Sequence, residues 1–177
     1  MNFEFYNRIA KSSAATENRN SILNFVIENP YLMIDLTTIA FDINDKNHYK
    51  AVWIIELIAE KNPVVLFPYL DTICKTLPEF KNHSAVRGMS RTVYFLSTSK
   101  EITLTETQEE KIIETSMDWL IGDARIAPKV FAMRTLYEFS TQNQWIKEAL
   151  KNVLSENYLQ QSAGYKAAAR AVLKSIN

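Results

Sequence analysis

Glycine is scarce in this chain, and so is every other residue that makes tight turns. Three glycines and five prolines occur in 177 residues. An all-β chain needs turn residues about every 8–12 positions, so that class is excluded. One cysteine, Cys74, rules out an intramolecular disulfide; it lies in an apolar helical stretch and reads as a small buried hydrophobe. No run approaches the roughly 18 consecutive apolar residues of a membrane span. Met1 to Lys11 carries Glu4 and Arg8 without a long apolar core, so it does not read as a signal peptide, and a cytoplasmic protein is expected. Net charge is also missing: 20 basic residues face 20 acidic ones. A uniformly basic nucleic-acid protein or an acidic tail is therefore not expected, although a local patch is compatible with that balance.

The chemical signatures are as thin. Gly88, Gly122 and Gly164 are isolated, so no phosphate-cradling loop exists. No nucleophile elbow and no Cys–His signature appears. His48 and His83 each follow an asparagine at a helix start, and neither has a His, Cys or carboxylate at metal-ligand spacing. They read as solvent-facing or helix-start residues, and no metal or other cofactor is expected. Trp53, Trp119 and Trp145 all lie beside apolar residues at helical spacing and read as core.

What is present is helical periodicity. Apolar residues make up 47% of the chain, enough for one sizeable core. Helices are expected from about Phe3 to Lys11 and, capped by Thr16 or Asn18, on to Ile27. The next starts at Pro30, with Leu32, Leu36 and Ile39 on one face, and another runs from His48 to about Glu60. A further helix is expected from Val64 to Leu77, shifted or kinked by Pro68. Then come Ser84 to Ser99, and Gln108 to Ile121 after an N-cap at Thr105 and before a C-cap glycine at Gly122. Ile126 to Thr141, Gln144 to Glu156 and Ser162 to Ile176 complete about ten helices without a strand. The motif Asn-Pro after a charged residue, at Glu28 to Pro30 and Lys61 to Pro63, marks the same stop and start twice.

The helices recur in register. Lys50, Arg87, Lys129 and Lys166 open equivalent helices 37, 42 and 37 residues apart. Trp53, Ser90, Ala132 and Ala169 follow three positions later, and Leu57, Tyr94, Leu136 and Leu173 seven positions later. Paired helices at that period predict an α-solenoid in which each pair buries its face only by stacking on the next. The pattern resembles HEAT-like repeats, whose second helix often reads valine, arginine, two residues, alanine, three residues, leucine. Val86-Arg87, and Asp123 with Lys129, Ala132 and Leu136, carry the resemblance, which covers roughly residues 30–177. Trp53 departs from it, because a large ring stands where a small residue is expected. The fold expected is all-α: an α-solenoid of stacked antiparallel pairs, one domain over 1–177 with 1–29 as an N-terminal capping segment.

Charge is segregated along this framework. Arg87 and Arg91 are four apart on one helix, and Lys166, Arg170 and Lys174 form an i, i+4, i+8 stripe on another. Lys50 and Lys129 share their column. The stretch Thr105 to Ile121 instead holds Glu106, Glu109, Glu110, Glu114 and Asp118 against Lys111. The resemblance implies that the second helices line the concave side, which would then be locally basic: a groove for phosphate backbone or for an acidic protein segment. The structural alternative is that these cations pair with turn aspartates, Asp45 or Asp123, and cover the apolar rim with their stems. The function expected is a non-enzymatic scaffold that binds another macromolecule, with a protein as the expected partner. The alternative is a DNA-binding protein of the HEAT-like alkylpurine DNA glycosylase type, which overall neutrality disfavours.

Overall fold

Local chemistry sets the helix boundaries in the computed structural model, which describes residues 1–156 and 158–176. Asn2 caps α1 (Phe3–Ala10) by accepting from the Phe5 amide, and Asn82 caps α6 (His83–Thr98) by accepting from Ser84 and Ala85. Thr105 opens α7 (Glu106–Ile121) with a full capping box, its hydroxyl taking the Gln108 amide while the Gln108 side chain takes the Thr105 amide. The other helices are α2 (Thr16–Glu28), α3 (Leu32–Phe41), α4 (His48–Lys61), α5 (Leu70–Thr76), α8 (Ile126–Ser140), α9 (Gln144–Ser155) and α10 (Ala163–Ile176). Among the described residues there is no strand.

Several expected details differ. The helix expected over Val64 to Leu77 is a 3-10 segment, Pro63–Tyr69, then α5, then a second 3-10 turn, Leu77–Glu79. Pro68 and Pro78 lack the amide that an α-helical ladder needs, and the chain answers with tighter turns. Neither Thr16 nor Asn18 caps α2; Asn18 accepts from the Ser13 amide instead. Pro30 lies in a turn ahead of α3. Gly122 follows α7 with an ordinary negative φ of −80°. Its need for glycine is space, since a Cβ there would stand 2.7 Å from the Asp118 carbonyl oxygen. Trp145 is 59% exposed rather than core, while Trp53 and Trp119 are buried. His48 is also buried, stacked on Phe80 at 6.0 Å, whereas His83 is exposed.

The helices form two rows. In one, α2 packs on α4, α4 on α6, α6 on α8 and α8 on α10. In the other, α1 packs on α3, α3 on α5 and α5 on α7, with α9 held against α8 and α10. One continuous apolar core runs between the rows. The repeat register has its physical basis here: Trp53, Ser90, Ala132 and Ala169 are all buried. Of the positions four residues further on, Leu136 is buried, and Leu57, Tyr94 and Leu173 are half-buried.

Candidate functional site

Glu56 sits in the middle of the apolar run AVWIIELIA of α4 and is 0% exposed. A buried carboxylate must be offset by charge and hydrogen bonds. The offset comes from the next repeat. Arg91 donates from Nη1 to Glu56 Oε1 at 2.8 Å and from Nη2 to Glu60 Oε1. Arg87 Nη1 lies 3.5 Å from Glu56 Oε2 without hydrogen-bonding it, so that oxygen has no donor among the described residues. Gly88 makes room for the arrangement. Its missing Cβ would stand 2.6 Å from Val52 Cγ1 and 3.5 Å from Glu56 Oε2.

Aromatic rings continue the cluster onto α8. The Arg91 guanidinium lies 5.3 Å from the Phe95 ring centre and 5.9 Å from that of Phe131. Arg134 approaches the same Phe131 ring at 5.7 Å, and Tyr94 lies 5.8 Å from it at a tilt of 49°. Such guanidinium–ring contacts are attractive through the ring quadrupole. Tyr94, Phe95 and Phe131 are half-buried, and Arg134 is exposed. Glu138, further along α8, has its carboxyl pushed above the usual range by partial burial.

The seven basic residues singled out by spacing meet different fates. Lys50 donates to the Ala10 carbonyl and Lys166 to that of Leu159 at 2.8 Å. Arg170 Nε donates to the Lys166 carbonyl at 3.4 Å. Arg87 and Arg91 converge on Glu56. Among the described residues no ion pair involves Lys129, Arg170 or Lys174, nor Arg134. The turn aspartates do not take the role of partner. Asp45 accepts from the Tyr6 hydroxyl and the Asn47 amide, and Asp123 lines a cleft of about 390 Å³ with Phe80, His83, Asp118 and Trp119. Glu56, Glu60, Phe131 and Arg134 were missed by sequence reasoning. Glu56 had a signal, as a lone acid inside an apolar run. Phe131 and Arg134 had none, because their role depends on how α6 meets α8.

Burial, and then the nearby Asp71 charge, push the Cys74 thiol up to about 11, so it stays protonated at neutral pH. Among the described residues no group of three His, Cys, Asp or Glu could hold a metal ion, and no helix is long and apolar enough to cross a membrane.

Two rows of stacked helices with one shared core define an α-helical repeat protein of the solenoid class. A family model described as HEAT repeat domain matches residues 7–176, and the chain belongs to that family. No curated protein and no solved structure matches the chain.

Proposed function

We propose that this chain is a non-enzymatic scaffold whose second-helix row, α4 to α10, binds a protein partner. The supporting observation is the commitment of Arg91, and in part Arg87, to Glu56 and Glu60. Phosphate binding draws its affinity from cations free to replace counterions. Here Arg91 is already occupied by Glu56 and Glu60, and Arg87 is drawn to Glu56 only at 3.5 Å. Trp53 and Trp119 are buried, so neither is free to stack on a base, and the exposed Trp145 lies on α9, outside the second-helix row. Half-buried aromatics beside paired and unpaired charges make a mixed face, the kind that suits a protein surface. On this reading residues 1–177 act as one repeat domain with 1–29 as its cap, working in the cytoplasm.

The test is titration of a fluorescent DNA duplex at low and at physiological salt, with the parent and a variant carrying Lys129→Gln, Arg134→Gln, Arg170→Gln and Lys174→Gln. The scaffold reading expects at most weak duplex binding at low salt and none at physiological salt. Binding that persists at physiological salt and disappears in the variant would replace it with the DNA-binding reading of the alkylpurine glycosylase type.

A further inference from the structure

We infer that the partner presents an acidic segment, seated across the Tyr94 and Phe131 rings between Arg87 and Arg134. This deepens the scaffold reading and rests on it. The first observation is charge placement. Helices α6, α8 and α10 carry seven lysines and arginines against one acid, Glu138. They pack side by side as one row. In the other row, α7 carries five acids against Lys111. A chain with no net charge therefore has a cationic row, and a cationic row selects an anionic partner and speeds its encounter.

The second observation is the division of labour among three guanidiniums. Arg91 is 23% exposed and has both terminal nitrogens on carboxylates. It is a fixed part of the floor, lying over the Phe95 and Phe131 rings. Arg87 is 46% exposed and touches Glu56 only at 3.5 Å, without a hydrogen bond to it. Arg134 is exposed, rests on Phe131, and has no carboxylate partner among the described residues. A guanidinium drawn toward a ring by the ring quadrupole keeps its N–H donors open, which suits an approaching carboxylate. Tyr94 and Phe131, with ring centres 5.8 Å apart, add rigid apolar area beside Arg134. The seat thus fits a short segment with carboxylates flanking an apolar side chain.

The test is fluorescence anisotropy with a labelled peptide of glutamate and leucine, its glutamine-and-leucine counterpart and a labelled DNA duplex, each at low and physiological salt. The proteins are the parent, the double variant Arg87→Gln with Arg134→Gln, and Lys111→Gln on α7 as control, all checked for parental circular dichroism. The acidic peptide should bind the parent, weaken as salt rises, and lose about tenfold or more in affinity in the double variant, the equivalent of one charge-assisted hydrogen bond. Lys111→Gln should bind as the parent does. Equal binding of the glutamine peptide, or unchanged affinity in the double variant, would overturn the acidic seat. So would failure of the acidic peptide to bind; with the duplex also silent, that failure would leave the scaffold reading standing. Duplex binding that outlasts peptide binding at physiological salt would overturn both readings.

Discussion

Glu56 has no contact with water, yet it stands in the path of two arginines from the following helix. Their contributions should be unequal. Arg91 makes a 2.8 Å hydrogen bond to Glu56 and is itself largely shielded, whereas Arg87 reaches it only at 3.5 Å from an exposed position. Removing one member of a buried pair costs about 3–5 kcal/mol, because the other charge is left uncompensated. Exposed pairs contribute about 0–1 kcal/mol. Arg91→Ala should therefore cost about 3 kcal/mol, at the lower end because water can enter beside Glu56, and Arg87→Ala less than about 1 kcal/mol. Urea denaturation followed by circular dichroism measures both, and equal losses would show that the two arginines share the carboxylate evenly. Little of this was legible in the sequence. Lys50, Arg87, Lys129 and Lys166 occupy one register, but a long flexible stem separates each charge from its Cα. The register fixes where the stems begin and leaves the far ends to find a carbonyl at Ala10, an acid at Glu56 or a carbonyl at Leu159.

Helices were far more legible than side-chain partners, because the 3.6-residue period is a local property. Leu32, Leu36 and Ile39 are buried on α3 as their spacing requires, and Thr105 caps α7 as its neighbours imply. Trp145 shows how a broad apolar reading goes astray. The buried stripe of α9 is Ile146, Leu150 and Leu154, at four-residue steps, and Trp145 lies off it. Between elements, the clearest consequence concerns Gly88. Helix propensity alone predicts that Gly88→Ala should stabilise α6 by about 1 kcal/mol. Packing predicts the reverse, since the new methyl would stand 2.6 Å from Val52 Cγ1, a stiff β-branched side chain on α4. Overpacking costs about 1–3 kcal/mol, so Gly88→Ala should lower the melting temperature. A variant that melts at or above the parent would mean that α4 can retreat from α6 without penalty.

At the scale of the molecule, stacking makes the architecture nearly one-dimensional, and stability in such an array is close to a sum over neighbouring repeats. The charge segregation was readable helix by helix, but the row that joins α6, α8 and α10 exists only through stacking. The same stacking sets what happens when a terminal pair is removed. The principal contacts of α10 are to α8 and α9, and those of α9 to α8 and α10, so the rest of the array does not depend on them directly. A chain lacking residues 142–177 uncovers one side of α8, whose Ala132, Met133 and Leu136 are buried in the full array. Local opening should then concentrate in α8, the new end, while α3 to α7 keep their core. The truncated chain should retain a cooperative helical melt by circular dichroism, at a lower temperature than the parent, with hydrogen-exchange protection lost first in residues 126–140. A truncated chain without helical signal would show that the pairs fold as one indivisible unit rather than as an array. Unchanged protection in residues 126–140 would show that α8 is held by α6 and α7 alone.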